Sequence, residues 1–211
     1  MVIHMEYRLQ TPLTKDKLKG LHAGDQVLIS GEIYTARDAA HGRLKELLEA
    51  RKPLPIDLEN LTVYYAGPTP APPKIPVGSI GPTTAGRMDA YTPALLEQGM
   101  TAMIGKGARS PEVMEAIRRS GAVYFGCIGG AGALVARCVE KSELVAWEDL
   151  GSEAIRKLTV RNFPVTVLAC GDENLYELGK SNYLASLRSQ AQSKSWALLG
   201  LADSKNGTKT E

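Results

Sequence analysis

Short apolar runs that lead into a glycine-containing loop, and then into a helix-forming segment, recur along the middle of this chain. Residues 25–31, 61–66, 100–104 and 122–127 have the composition of buried strands. Helical segments follow at 36–51, 89–98 and 111–119, the last with the hydroxyl cap, proline and acid typical of a helix start. This repetition predicts an α/β fold whose glycine-rich loops gather at the carboxyl ends of the strands.

The flanking segments predict a continuation of this pattern. An extended arm and a short polar segment occupy residues 1–24, and a helix containing Cys138 is expected to run to about residue 140. Later elements are expected as a strand at 145–150, a helix at 152–158 and a strand at 165–169. No second hydrophobic core with its own linker is visible. Residues 1–202 are therefore predicted to form a single domain, and the polar residues 203–211 a disordered tail.

The composition excludes several classes of function. Of 211 residues, 44% are hydrophobic and 23% are charged, which is ordinary for a globular domain. The formal net charge of +2 is too small to indicate a nucleic-acid partner or an anionic membrane. No apolar run reaches the ~18 residues of a membrane span, and the first residues lack the basic-then-apolar order of a signal peptide. The expected location is the cytoplasm.

The three cysteines have two interpretations. Cys127, Cys138 and Cys170 could hold an iron–sulfur cluster, or they could serve as small buried hydrophobic residues. Their spacing contains no C-x-x-C pair, and all three lie in or at the end of apolar runs. We therefore predict a structural role for each of them and no metal site in this chain.

The clearest chemistry lies in the loop at residues 81–89, Gly-Pro-Thr-Thr-Ala-Gly-Arg-Met-Asp, called here the Thr-Thr loop. It presents two adjacent hydroxyls, the first from Thr83, and Arg87 can grip a carboxylate with two parallel hydrogen bonds. Lys106 follows a predicted strand between two glycines, and Arg37 lies at a predicted strand-to-helix turn. This set suits a small dianionic substrate, while a helix-capping hydroxyl and solvated surface cations are the structural alternative.

The residues before this loop are rich in proline. Residues 67–82 contain six of the twelve prolines in the chain, at positions 68, 70, 72, 73, 76 and 82. Proline restricts the backbone, so a stiff, extended segment is predicted that helps to fix the position of the Thr-Thr loop.

Three further features of the sequence each have two possible interpretations. Arg109 is either another ligand-binding cation or a residue near a helix start, and His41 is either a proton-transfer group or a helix-surface histidine. The glycines at 126, 129, 130 and 132 follow a strand and open a helix, as a dinucleotide-binding loop does. Their spacing is not G-x-G-x-x-G, so close helix–strand packing is the competing interpretation.

Several of these blocks together resemble one family, the iron–sulfur-dependent class I fumarate hydratases and L-tartrate dehydratases. The resemblance runs from about Leu9 to Gly179, and it is to the C-terminal domain, which in many organisms is a separate β subunit. The string in the Thr-Thr loop is the specific part of the match. The supporting blocks are residues 25–31, 36–41 and 106–107.

The resemblance implies a swivelling β/β/α domain that forms its active site with a partner α subunit, in which three cysteines hold a [4Fe–4S] cluster. By motif match, Arg37, Arg87 and Lys106 would bind the substrate carboxylates, and Thr83 would take part in proton transfer at the reacting carbon. The complete enzyme would be a hydro-lyase of two α and two β subunits. It would interconvert malate and fumarate or dehydrate L-tartrate to oxaloacetate, and the motifs do not separate these substrates.

The chemistry of such a reaction agrees with these residues. Removing a proton next to a carboxylate builds charge on that carboxylate, and preorganised cations stabilise it. A threonine hydroxyl is a poor base near neutral pH, so Thr83 would need an activating carboxylate, which the resemblance assigns to the α subunit. Two other interpretations stay open, namely a stand-alone dicarboxylate-binding or regulatory module without catalysis, and a nucleotide-dependent oxidoreductase.

Overall fold

The structure is a computed structural model that describes residues 6–198, with side chains described through residue 186. It contains two compact units, one up to Leu175 and one from Tyr176 onward. The strands are β1 (Glu6–Gln10), β2 (Gln26–Thr35), β3 (Thr62–Tyr64), β4 (Ala102–Gly105), β5 (Val123–Gly126), β6 (Val139–Ala146), β7 (Ile155–Cys170) and β8 (Glu173–Asn174). The helices are α1 (Lys15–Leu18), α2 (Asp38–Glu49), α3 (Thr92–Glu97), α4 (Pro111–Ser120), α5 (Gly132–Ala136) and α6 (Leu175–Leu198). Two 3₁₀ helices cover Ala85–Met88 and Glu148–Glu153. The predicted domain end at residue 202 and the predicted tail lie outside the described residues.

Five neighbouring parallel strands, in the order β1-β2-β3-β4-β5, form the main part of the sheet. One row of the register runs from Tyr34 through Val63 and Met103 to Tyr124. Because the strands are parallel, their carboxyl ends lie along one edge. The predicted α/β class and the loops at the strand ends are thus confirmed.

The long strand β7 closes this sheet into a ring. It runs antiparallel to β2 along most of its length and also pairs antiparallel with β5. Thr166 pairs with Gln26 on one side and with Gly126 on the other. The two outer strands of the set β2-β3-β4-β5 therefore meet the same partner, and the sheet resembles a barrel. The sequence did not predict this closure.

The central parallel strands β3, β4 and β5 are buried on both faces. On one face, large side chains of the ring strands form a hydrophobic cluster that includes Tyr64, Ile104, Phe125 and Phe163. The opposite face packs against helices α2, α3 and α4, through residues that include Leu44, Leu95 and Ile117. Since both faces are covered, the ends of the strands and their loops are the parts of the sheet that a ligand can reach.

Helix α4 forms where the sequence predicts it. The Ser110 hydroxyl accepts a hydrogen bond from the Val113 amide, and Pro111 occupies the first turn, where its missing N–H is no loss. The helix ends at Gly121, whose φ of 71° lies in the left-handed region that glycine adopts without strain.

The region from residue 132 to 158 differs from the prediction. Helix α5 ends at Ala136, so Cys138 lies between a helix and a strand. Strand β6 lies earlier than the strand predicted at 145–150, and the 3₁₀ helix 148–153 with the start of β7 replaces the helix predicted at 152–158.

The physical reason lies in an irregularity of β7. Buried and more exposed residues alternate along this strand, but Arg161 and Asn162 are both exposed and break the alternation. Asn162 has a φ of 50°, and the pairing with β2 shifts between Ile29 and Gly31. This bulge divides one long strand into two short patterns. The second contains the strand predicted at 165–169, which is confirmed, whereas the first was assigned to the helix predicted at 152–158.

The proline-rich segment is also different from the prediction. Its two ends meet, because Ala66 and Pro82 form an antiparallel bridge. Within the segment, the Thr69 amide donates to the Ser79 carbonyl and the Gly78 amide donates to the Thr69 carbonyl. The segment therefore folds back on itself instead of running extended, and it returns the chain to the end of β3.

None of the helices within residues 6–198 combines the length and the apolar character that a membrane crossing requires.

Candidate functional site

The predicted site residues follow the carboxyl ends of neighbouring parallel strands. Arg37 comes shortly after the end of β2, and Lys106 comes directly after β4. The Thr83 amide donates a hydrogen bond of 2.6 Å to the carbonyl of Tyr65, the residue that follows β3. Open α/β sheets bind ligands beyond the carboxyl ends of their strands. The structure brings these three residues to that edge.

The Thr-Thr loop lies alongside the loop after β4. The Lys106 amide donates to the Thr83 carbonyl at 3.3 Å, and the Ala85 amide donates to the Lys106 carbonyl at 2.8 Å. Thr84 pairs with Lys106 in a parallel bridge. These backbone bonds fix Thr83, which is half-buried, next to Lys106, whose side chain is exposed.

The Lys106 side chain passes the glycine turn at residues 129–132. A Cβ added to Gly129 would lie 3.7 Å from the Lys106 Cδ and 3.8 Å from its Nζ. Within the residues that the structure describes, the Lys106 ammonium forms no ion pair. Its charge is therefore available to an anionic ligand.

Arg87 is held by a carboxylate of helix α2. It lies in the 3₁₀ helix Ala85–Met88, half of its side chain is exposed, and its Nε donates to Asp38 Oδ1 at 2.8 Å. The other oxygen of this carboxylate, Asp38 Oδ2, is buried without a hydrogen-bond partner. The pair connects the Thr-Thr loop with the first residue of α2 and leaves the two terminal nitrogens of Arg87 without a described partner.

Arg37 is held by a carboxylate from a distant part of the chain. Its Nη2 lies 3.4 Å from Glu153 Oε1, and the second oxygen, Oε2, accepts a hydrogen bond of 3.0 Å from the Ala39 amide. The Nε of Arg37 is buried and has no hydrogen-bond partner among the residues that the structure describes. No pattern in the sequence indicated Glu153, because the residue follows Arg37 by more than a hundred positions and lies in a segment predicted as a helix.

The four predicted residues are thus connected in two pairs. Backbone bonds join Thr83 to Lys106, and Arg87 binds the side chain of Asp38, the residue that directly follows Arg37. Three cations and one hydroxyl lie at one edge of the sheet, partly or fully exposed. This arrangement can bind a small molecule that carries two negative charges.

A buried ion pair holds the last residue of the Thr-Thr loop. Asp89, the last residue of the loop, accepts hydrogen bonds of 2.7 Å from the Arg109 side chain and from the Ser110 amide. The Arg109 side chain is fully buried, donates to Thr92, and stacks over the ring of Tyr65. Arg109 therefore has a structural role and is not an exposed cation that could bind a ligand. Asp89 joins the Thr-Thr loop to the segment that contains Arg109 and Ser110.

His41 is buried and does not lie on the helix surface, so that prediction is wrong. Its Nδ1 is 2.9 Å from the Arg37 carbonyl, and because a carbonyl only accepts, Nδ1 carries the proton. Burial lowers the pKa of His41 to about 4, and the Arg109 charge adds to this effect, against the opposing hydrogen bond to Arg37 and the charge of Asp38. The ring is therefore neutral near pH 7, and it packs edge-on against Tyr65 with its Nε2 unpaired.

The three cysteines belong to or pack against one hydrophobic cluster, but each contacts a different polar group. The Tyr64 hydroxyl donates to Cys127 Sγ at 3.8 Å, Cys138 Sγ contacts the Asn162 carbonyl, and Cys170 Sγ contacts the Leu21 carbonyl. Burial raises the pKa of all three thiols, that of Cys170 to about 11. Among residues 6–198, no three His, Cys, Asp or Glu side chains are grouped to hold a metal. Among the described residues, the thiols therefore do not form the group of ligands that an iron–sulfur cluster requires.

The glycine turn after β5 leads into a very short helix. Helix α5 has five residues and no side-chain cap, and Gly130 has a φ of 83°. The Ile80 amide donates to the Gly132 carbonyl, and a Cβ on Gly132 would lie 2.9 Å from the Gly81 amide nitrogen. This close approach explains the glycine at 132 by packing, as the competing interpretation of the turn requires.

Comparison with known proteins shows which family this chain is similar to. A family model described as Fumarase C-terminus matches residues 3–177. Fumarate hydratase 1, mitochondrial, of Leishmania major is 44% identical over 142 residues, which cover 66% of this chain and 26% of that protein. The anaerobic class I fumarate hydratase of Escherichia coli K12 has the same identity and coverage.

One relative has a length similar to that of this chain. The putative L(+)-tartrate dehydratase subunit beta of Methanocaldococcus jannaschii is 35% identical over 189 residues, which cover 85% of this chain and 95% of that protein. In contrast, the chain spans about a quarter of the length of the fumarate hydratases that it matches.

Proposed function

The chain belongs to the fumarase C-terminus family, and from this premise we propose that it is the β subunit of a two-subunit hydro-lyase acting on a C4 dicarboxylate. The observation that carries the proposal is the group of Arg37, Thr83, Arg87 and Lys106 at one edge of the sheet. The similarity in length to a protein named as a subunit beta supports the subunit assignment. The swivelling type of domain is part of the same proposal.

In this proposal the cations bind the substrate carboxylates. Within the described residues, Arg87 has its terminal nitrogens available, Arg37 has Nη1 outside its ion pair with Glu153, and Lys106 has a free charge. Loss of a proton beside a carboxylate raises the negative charge on that carboxylate in the transition state. Cations held in place before the reaction stabilise this charge without reorganisation.

Thr83 is proposed as the proton-transfer residue. Its backbone is fixed from both sides, by the Tyr65 carbonyl and by the Lys106 amide. Within the described residues, its hydroxyl has no hydrogen-bonded base. A hydroxyl alone is a weak base near pH 7, so the activating carboxylate is proposed to come from the α subunit.

The partner also explains why the edge is open. Arg87 and Lys106 are exposed, and a pocket that excludes water needs a second wall. We place a [4Fe–4S] cluster on that α subunit, where it would supply a Lewis acid for the leaving hydroxyl. The complete enzyme is proposed to contain two α and two β subunits in the cytoplasm.

Co-expression with the α subunit, followed by anaerobic purification, tests the proposal. The complex is expected to turn over malate and fumarate or L-tartrate in an activity panel that also includes mesaconate. The isolated chain is expected to be inactive. A complex that binds these dicarboxylates without turning over any of them would instead support the stand-alone binding module, and heat released on titration with NAD would support the oxidoreductase.

A further inference from the structure

We infer that Glu153 is a positioning residue that holds the Arg37 guanidinium in the orientation in which it binds a substrate carboxylate. This inference rests on the proposed function, since it assigns Arg37 to substrate binding. Glu153 lies at the end of the 3₁₀ helix before β7, far from Arg37 in sequence. It does not touch the exposed edge itself, so its effect would be exerted through Arg37.

The Glu153 carboxylate has two partners that both belong to the start of helix α2. One oxygen lies 3.4 Å from Arg37 Nη2, and the other accepts from the Ala39 amide at 3.0 Å. The side chains of Arg37 and Glu153 are only 22% and 24% exposed, so solvent screens this pair less than a surface pair. The carboxylate thus fixes the guanidinium relative to the backbone that carries it.

The guanidinium is also confined on its other side. A Cβ added to Gly67 would lie 3.2 Å from Arg37 Nη1 and 2.5 Å from the Ser152 carbonyl oxygen. Glycine at 67 therefore leaves the space in which the guanidinium lies next to the segment that carries Glu153. This slot restricts the orientations that the side chain can adopt.

Most of the donors of Arg37 remain unused after this contact. Arginine has five N–H donors in a fixed plane, and its buried Nε has no partner. The Nε is enclosed by protein, so a substrate carboxylate would meet the terminal nitrogens. Glu153 contacts Nη2, and the donors of Nη1 are left for the substrate.

Because Glu153 is negatively charged, a kinetic test can distinguish a positioning role from a purely electrostatic effect. A carboxylate near the site repels a dianionic substrate, so if only charge mattered, Glu153→Gln would tighten binding and lower KM. If Glu153 positions Arg37, the same substitution releases the guanidinium and lowers kcat/KM by about tenfold in spite of the lost repulsion. The two roles therefore predict opposite changes.

The experiment compares Glu153→Gln with Asp149→Asn in the complex with the α subunit. Asp149 pairs with Arg43 and also links the 3₁₀ helix to α2, but it lies on exposed surface, so this control removes a similar connection without touching Arg37. We expect the control to match the wild-type complex. Glu153→Asp keeps the charge but shortens the side chain, and we expect it to lose activity as Glu153→Gln does.

A double-mutant cycle separates positioning from a general structural role. In an Arg37→Lys background, Glu153→Gln is expected to have no further effect on kcat/KM, because the group that it positions is already changed. Equal losses in both backgrounds, or a lower KM for Glu153→Gln, would overturn the inference.

A readout without turnover keeps the inference testable if the proposed reaction is wrong. In the ¹⁵N-labelled full chain, the Nε–H signal of Arg37, assigned by its loss in Arg37→Lys, is expected to exchange faster with solvent in Glu153→Gln than in Asp149→Asn. Unchanged exchange would overturn the inference, whereas a wild-type complex with no dehydratase activity would overturn the proposed function and not this result.

Discussion

At the scale of single residues, the three cations at the sheet edge are not all held by ion pairs. Arg87 and Arg37 are each held by one carboxylate of the same chain, and Lys106 is free of ion pairs among the described residues. Arginine pairs that keep terminal nitrogens available can bind a further carboxylate without first being ordered. The account therefore depends on the guanidinium fork and not on positive charge alone.

Arg87→Lys tests this dependence. Lysine keeps the charge but loses the planar fork and the Nε contact with Asp38, so kcat/KM of the complex is expected to fall on the order of 10²-fold. Steady-state kinetics measure the change. Arg118→Lys, in an exposed ion pair with Glu115, is the matched control. Unchanged kinetics for Arg87→Lys would make Arg87 an ordinary surface residue.

Thr83→Ala tests the proton-transfer role. Loss of a general acid–base group lowers kcat by about 10²–10⁴-fold, while substrate binding by the cations should persist with KM nearly unchanged. Thr83→Ser keeps the hydroxyl and is expected to retain most of the activity. A loss that appears equally in binding and in turnover would show that Thr83 only positions the substrate.

The sequence largely predicted where the candidate site residues lie, but it did not predict the side chains that hold them in place. Glycine and proline around Thr83 and Lys106 indicate loops after strands, and parallel strands place such loops at one edge. Glu153 lies far along the chain in a segment that was assigned to the wrong element. Local pattern contains no information on such a distant contact.

At the scale of elements, helix α2 begins directly after Arg37 and contains a buried histidine, His41, whose surroundings oppose protonation. The folded pKa of His41, about 4, lies below its ordinary value of 6.5, so the unfolded chain binds the proton more readily. This contribution to stability is complete above about pH 6.5 and is lost as pH falls from there towards about 4. The shift corresponds to about 3 kcal/mol of unfolding free energy.

His41→Asn is expected to reduce this acid sensitivity, because an asparagine amide can still donate to the Arg37 carbonyl but does not titrate. Denaturant unfolding at about pH 7 and about pH 5 measures the difference. His22→Asn is the contrasting variant. The hydrogen bond and the charge of Glu173 raise the pKa of exposed His22, so its contribution is present at low pH and is lost as pH rises through that raised pKa. Equal acid sensitivity of wild type and His41→Asn would contradict the assignment.

Helix α5 and the Thr-Thr loop form a second structural unit of the site. A Cβ on Gly132 would lie 2.5 Å from Ser79 Oγ and 2.9 Å from the Gly81 amide nitrogen. Gly132→Ala is therefore expected to displace the backbone before Thr83 and to lower kcat/KM on the order of 10²-fold, since a displacement of about 1 Å costs this much.

Gly42→Ala is the control for this substitution. Nothing lies within 4 Å of a Cβ at Gly42, and alanine in the interior of α2 should stabilise the fold by about 0.5–1 kcal/mol without changing activity. Kinetics and thermal unfolding measure both variants. Wild-type kinetics for Gly132→Ala would show that the loop tolerates the shift.

The elements before residue 130 were easier to predict than those after it. Strands β3, β4 and β5 are short, continuous and buried on both faces, so their composition identifies them. Strand β7 contains a bulge at residues 161–162 and pairs with four other described strands along its length, so its pattern is split. The predicted helix at 152–158 failed for this reason.

At the scale of the whole molecule, β7 closes the sheet and fixes the edge that carries the site. Pairing of one strand with both β2 and β5 holds the loops after β2, β3, β4 and β5 in one ring. Closure depends on contacts between distant segments, which is why the sequence indicated the α/β class but not the ring. The edge itself is open and carries the exposed or half-buried cations Arg37, Arg87 and Lys106, which we propose to be the cationic part of a site.

Reconstitution from separately purified chains tests this account most directly. Adding this chain to a fixed amount of cluster-loaded α subunit under anaerobic conditions, with fumarate formation from malate or oxaloacetate formation from L-tartrate as the readout, should raise activity in proportion until the chains are equimolar. Neither chain alone should turn over substrate. Activity of this chain alone, activity of the α subunit alone at the level of the mixture, or a complex that turns over neither substrate would contradict the account.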